Sequence, residues 1–156
     1  MIYVDTSAIV KLYIKEPDSL SVSEWIKKNN QSIPLTSLIE LEFINALKLK
    51  QFRNEINNDD FDKILLMLHE HENKGVYYRP AMNWLQIFIQ ALSLSKNYTS
   101  HIGSRSLDIL HISSAIFLEM EGIVTFDERQ AQLSALAGLK IIDTTDRRDL
   151  SDNSRL

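Results

Sequence analysis

Met1-Ile2-Tyr3-Val4-Asp5-Thr6-Ser7 opens the chain, and its reading decides the fold. Ile2, Tyr3 and Val4 favour a strand. Asp5 follows at once, then Thr6 and Ser7, then an apolar helical pattern from Ala8. A strand that ends on a carboxylate and turns directly into a helix sets that carboxylate at the carboxyl edge of a sheet, where open α/β sheets hold their ligands. Taken alone, Asp5 reads equally well as a helix N-cap. It becomes more than a cap only if other acids arrive at the same edge.

Working outward, Ile123-Val124-Thr125-Phe126 is a second apolar β run, and it too meets a carboxylate, Asp127. Between these strands the pattern is mostly helical. Thr6 or Ser7 caps a short helix to residue 14, stopped by Pro17, and a second helix runs from 18 or 19 to about 29. Residues 33–35 form a short extended piece, with Pro34 at its edge. Ser37 and Glu40 have capping-box spacing and open a helix to 52. Asp59 or Asp60 starts a helix through 72, closed by Gly75, and 76–79 is a strand. A helix over 84–95 precedes a polar loop over 97–106. The next helix spans 106–121 with Gly122 as its stop. A helix over 128–137 and a last strand over 139–142 complete the series. Strands alternating with helices predict a three-layer α/β/α, Rossmann-like domain with a mainly parallel sheet of four to five short strands. This domain is expected over 1–143, with a polar tail over 144–156.

Composition narrows the class. The 156 residues are 44% hydrophobic and 24% charged, which suits one domain. No apolar run reaches the ~20 residues of a membrane helix, and no signal-peptide pattern opens the sequence, so a cytoplasmic location is expected. The absence of cysteine excludes disulfides, thiolate metal sites and thiol catalysis. A net charge of −4 argues against binding nucleic acid by bulk attraction. Local basic residues or metal ions would have to hold such a substrate.

Two further acids are placed to join Asp5 and Asp127. Glu42 lies in the second turn after the Ser37 cap, and Asp108 in the first turn after Ser106. Helices that follow strands begin at the strands' carboxyl edge, so four carboxylates from four segments meet at one rim. Unpaired they would raise one another's pKa. A hard divalent cation, Mg²⁺ or Mn²⁺, resolves this and supports phosphoryl chemistry. Asp5, Asp108 and Asp127 also have simple readings as caps or helix-dipole partners. Glu42 is harder to set aside, because it shares a largely apolar stripe with Leu38 and Leu49. Thr6, Ser7 and Thr125 flank the acids and can orient them. His111 stands one turn after Asp108, as a substrate-orienting group or a packing residue. His69 and His71 are expected to be exposed. Lys11, Lys15, Arg105 and Arg129 are near enough in sequence to meet phosphates, though scattered surface charge explains them as well. Phe43, Ile44 and Leu47, with residues around Leu12 and Trp25, form either a partner groove or plain core.

The segments Val4-Asp5-Thr6-Ser7-Ala8, Thr36-Ser37-Leu38-Ile39-Glu40-Leu41-Glu42, Leu107-Asp108-Ile109-Leu110-His111 and Val124-Thr125-Phe126-Asp127 resemble PIN-domain ribonucleases. The likeness is greatest to the toxin half of VapBC-type toxin–antitoxin pairs. It covers Met1 to about Asp143, with all four segments in order. Ile109, where the family often has Ala, and Phe126, where Tyr or Asn-like residues are common, are departures. The resemblance implies Asp5, Glu42, Asp108 and Asp127 as the catalytic, metal-binding set. It further implies an RNA substrate cut with metal-activated water, a homodimer, and a small antitoxin partner. Two other readings stand beside it. One is a metal-dependent phosphatase on a similar fold, which wants a second Asp where Ser7 stands. The other is a non-catalytic PIN-like binding module.

Overall fold

The computed structural model describes residues 1–145. The polar tail expected from 144 falls outside the described residues from 146 on. In order, the elements are β1 (Ile2–Val4), α1 (Thr6–Tyr13), α2 (Ser19–Asn29), β2 (Ile33–Pro34), α3 (Ser37–Phe52), α4 (Asn58–Asn73), β3 (Tyr77–Tyr78), α5 (Trp84–Ile102), α6 (Ser106–Phe117), β4 (Gly122–Val124), α7 (Glu128–Leu136) and β5 (Lys140–Ile141).

Every strand pair is parallel, as the alternation predicts. β1 pairs with β4 and β4 with β5, while β2 pairs with β3 in a separate ladder packed beside β1. Tyr3, Val4 and all of β4 are buried, so both faces of the central strands are covered, as parallel sheets require. One group of helices, α1 to α3, packs together, and α5 to α7 form the other. Among the described residues no helix is long and apolar enough to cross a membrane.

The β1–β4 register positions the site. Val4 lies opposite Val124, and the Asp5 amide donates to the Val124 carbonyl at 3.1 Å. The residue level with Asp5 is therefore Thr125. Asp127, expected to be the equivalent of Asp5, lies two residues further on.

Several local expectations change. Asp5 itself caps α1, accepting from the Ala8 amide at 3.1 Å, so neither Thr6 nor Ser7 is the cap. Thr36, not Ser37, caps α3, accepting from the Ile39 amide. Glu40 is thereby released from capping, and Arg79 engages both its oxygens at 2.7 and 3.0 Å. The polar loop expected over 97–106 is mostly helix. Ala91, Leu94, Tyr98 and Ile102 recur at helical spacing and pack on the core, carrying α5 through its polar residues to Gly103. Gly122 is not a helix stop but the first residue of β4. A Cβ there would lie 2.6 Å from the Lys140 carbonyl oxygen, so a side chain is excluded by the neighbouring strand. Glu119 makes the left-handed turn after α6 instead. Phe43 and Leu47 are fully buried and belong to the core, not to a partner groove.

His71 also departs from expectation. It is half-buried, and its Nδ1 lies 2.8 Å from the Tyr13 hydroxyl, which in turn lies 3.1 Å from the Tyr77 hydroxyl. This cluster ties α1, α4 and β3 together. Burial, aided by the Lys74 charge, holds His71 below its ordinary 6.5. The unfolded chain therefore binds more protons than the native one just below that pH, and stability falls as pH drops through this window. Denaturant unfolding at about pH 7.5 and about pH 5.5 is expected to show a smaller loss for His71→Gln than for the unchanged protein. Equal losses would refute the assignment.

Candidate functional site

At the carboxyl edge of β1 and β4 the chain buries Asp5 to 1% exposure. Both of its oxygens are engaged. Oδ1 accepts from the Ser7 hydroxyl at 2.6 Å and from the Ala8 amide, and Oδ2 accepts from the Thr125 hydroxyl at 2.7 Å. Burial pushes the Asp5 carboxyl above its ordinary value, against the nearby His111 charge and these hydrogen bonds. Ser7 also accepts from the Phe126 amide at 2.9 Å, locking the β4–α7 turn onto the start of α1.

Glu42 faces this point from the second turn of α3. It accepts from the Thr6 hydroxyl at 2.7 Å and is hydrogen-bonded to His111 Nε2. Burial raises Glu42, but the His111 contact and Thr6 outweigh it and hold the carboxyl below its usual value. His111 is fully buried, with Nδ1 3.0 Å from the Tyr3 hydroxyl. Tyr3, His111 and Glu42 thus form one chain of hydrogen bonds running from the strand to the rim.

Asp108, 2% exposed, and Asp127 share Arg105. Its Nε and Nη2 fork onto the two Asp108 oxygens at 3.0 Å each, and Nη2 also reaches Asp127 Oδ2 at 2.6 Å. Burial acts to raise the Asp108 pKa, yet Arg105 and Gln130 bring it below the ordinary value. Asp127 caps α7 through Oδ1, accepting from the Arg129 and Gln130 amides. Thr125 joins the two halves, because it donates to Asp5 and accepts from the Asp127 amide at 3.1 Å.

The structure therefore joins Asp5, Asp108 and Asp127 in one hydrogen-bonded network with Ser7, Thr125 and Arg105, and holds Glu42 beside it in a second one with Thr6, His111 and Tyr3. Among the described residues, no three acids or histidines are already gathered into a metal-ligand set. The chain's own side chains hold the acids instead, with Arg105 on two of them and His111 on a third. Of the other basic candidates, Lys11 donates to the Pro17 carbonyl, Arg129 reaches the Gly103 carbonyl at 3.4 Å and Lys15 is exposed. Sequence reasoning missed two members. Gln130 follows the Asp127 cap by three residues, a capping-box spacing that could have flagged it. Tyr3 gave no signal beyond strand propensity.

The oxygen-rich donor set, without thiolate and with one carboxyl destabilised by burial, fits a hard divalent cation. Bound there, such a cation would replace part of the compensation that Arg105 now supplies.

Sequence and structure comparisons agree on one relationship. Residues 2–136 match the family model of the PIN domain. Among solved structures, Mycobacterium tuberculosis VapC20, described as a Sarcin-Ricin loop cleaving toxin, aligns with TM-score 0.65 at 12% identity, over 90% of this chain and 97% of that one. FitAcB from Neisseria gonorrhoeae aligns with TM-score 0.63 at 14% identity, covering 92% and 98% respectively. VapBC-1 from nontypeable Haemophilus influenzae aligns with TM-score 0.61 at 17% identity, covering 94% and all of that chain. At these identities the structural likeness speaks to the fold. Among curated proteins, none matches the sequence significantly.

Thr125 is the joint of the network, so Thr125→Val should destabilise the fold by about 1–2 kcal/mol, the cost of leaving a buried acceptor short of a donor. Thr125→Ser should restore most of that loss in urea unfolding. A stable Thr125→Val protein would contradict this role.

Proposed function

The chain belongs to the PIN domain family, and from that premise we propose that it is a metal-dependent endoribonuclease, the toxin of a toxin–antitoxin pair. The observation that carries the reading is the buried Asp5 carboxylate, linked through Thr125 and Arg105 to Asp127 and Asp108 at one sheet edge, with Glu42 held beside it by Thr6 and His111. Asp5, Glu42, Asp108 and Asp127 would hold Mg²⁺ or Mn²⁺. Such a cation would supply charge against the developing phosphoryl negative charge and would lower the pKa of an attacking water.

The chain's own residues do the positioning. Ser7 and Thr125 fix both oxygens of Asp5, and Thr6 and His111 fix Glu42, so neither acid has to reorganise as charge develops. Arg105 is 60% exposed at its side chain, whereas Asp108 is 3% exposed. The guanidinium can therefore swing from the acids onto a substrate phosphate, with which it pairs equally well.

The purified protein is expected to cleave RNA with Mg²⁺ or Mn²⁺ and to stop on chelation. Asp5→Asn or Asp108→Asn should lower the rate by at least about 100-fold, the scale of losing one transition-state-stabilising group. Undiminished cleavage by either variant would remove the four acids from the mechanism.

An antitoxin partner follows from the same reading, and VapBC-1 and FitAcB are among the similar structures. We also propose a homodimer formed through α5. Leu85, Phe88, Ile89 and Leu92 are 52–73% exposed and fall at i, i+3, i+4 and i+7, an apolar stripe on one helix face. The helix carries no acid and one lysine, so two copies can meet there about a two-fold axis without opposing like charges. Phe88→Glu should yield a monomer in sedimentation analysis. A variant that still sediments with the unchanged protein would place the interface elsewhere.

A further inference from the structure

Beside the four acids lies a cavity of about 310 Å³ between α1, the second half of α3 and the β4–α7 turn. Thr6 and Ser7 form its inner wall, and these are the hydroxyls that orient Glu42 and Asp5. The cavity therefore shares Thr6 and Ser7 with the acidic site, while none of the four acids lines it. Its volume sits at the lower end of the range, ~300–1000 Å³, that small-molecule sites occupy.

The lining combines two chemistries. Val10, Ala46, Leu49 and Phe126 give it apolar walls, and Phe126 is 36% exposed. Lys11, Lys50 and Arg53 bring three cations against the single acid Glu16. In a chain of net charge −4 this is a local reversal of sign. Glu16 engages Lys11 and Lys50, at 3.6 and 2.9 Å, and Glu55 outside the lining also pairs with Lys50, at 3.2 Å, so the uncompensated charge is that of Arg53. Arg53 has no ion-pair partner among the described residues and is exposed at the C-terminal end of α3. Lys11 Nζ stands 4.6 Å from the Phe126 ring centroid, so a cation and an aromatic ring are already paired at the mouth.

An aromatic surface, apolar walls and an unpaired guanidinium beside a site suited to phosphodiester chemistry match one unstacked nucleotide. We propose that this cavity is a nucleotide subsite for single-stranded RNA, seating the residue next to the scissile phosphate. Phe126 receives the base and Arg53 the adjoining phosphate. The assignment rests on the endoribonuclease reading for the identity of its substrate. Continuity with Asp5 and Glu42 through Thr6 and Ser7 favours RNA over a protein segment as the occupant.

The test is anisotropy of a short fluorescein-labelled single-stranded oligoribonucleotide of mixed sequence, titrated with the full chain in EDTA so that no cleavage occurs. Phe126→Ala should weaken binding about tenfold, the loss expected for one stacked base. Arg53→Gln should weaken binding and reduce the slope of log affinity against log salt by about 0.7, the signature of one lost phosphate contact on a single strand. Arg53 has no partner to lose, so its variant should unfold at the same temperature as the unchanged protein. A purely structural role would leave the salt slope unmoved. Undiminished binding by both variants, or no binding by the unchanged protein, overturns the subsite, and the former result leaves the cavity to a protein partner. Absence of cleavage with Mn²⁺ overturns the nuclease reading instead, while the binding comparison still decides the subsite.

Discussion

A carboxylate taken almost wholly out of water is the constraint on which this structure depends. Asp5 is nearly inaccessible, and a buried ionised carboxyl is tolerable only if its oxygens are hydrogen-bonded and its charge is answered. Each neighbouring feature answers part of that demand. The α1 N-terminus donates an amide, Ser7 and Thr125 donate hydroxyls, and His111 contributes field from across the sheet. The β1–β4 register is what allows it, since only that pairing sets Thr125 level with Asp5. Fold and site are thus one arrangement, because the strand pairing that buries the core also delivers the donors.

Much of this was legible from the residues. The opening strand, the acid that ends it and the alternation behind it give the architecture, and Asp5, Asp108 and Asp127 meet in one hydrogen-bonded network. What was not legible is how the local bonds are shared out. Asp5, Thr6 and Ser7 are all competent caps, and propensity cannot rank them. Tertiary contacts decide, with Thr6 drawn to Glu42 and Ser7 drawn to the Phe126 amide, which leaves the cap to Asp5. The same holds for Thr36 and Ser37. Arg79, distant in sequence, takes Glu40 away from the helix start that the capping-box spacing assigned to it.

The two largest misreadings have a common cause. The stretch 97–106 reads as a loop because its residues are polar, and Gly122 reads as a stop because it is glycine. Both inferences use composition where position decides. Tyr98 and Ile102 continue a stripe begun at Ala91 and Leu94, so burial of one face carries α5 on. Gly122 is dictated by the approach of the Lys140 carbonyl, a contact made by a strand that the local sequence cannot see.

The charges around the rim carry the most mechanistic content. Four acids in a small volume would repel, yet the chain does not leave them to an external ion alone. Arg105 straddles Asp108 and Asp127, and His111 secures Glu42 while being itself held by Tyr3. Such compensation keeps the site folded without a ligand, at the cost of a competitor for any cation that enters. The competitor is 60% exposed, on a long side chain, whereas the Asp108 side chain that it covers is 3% exposed. Release of Arg105 toward solvent or a phosphate breaks side-chain bonds only to Asp108 and Asp127, while movement of Asp5 or Glu42 would unpick the β1–α1 junction.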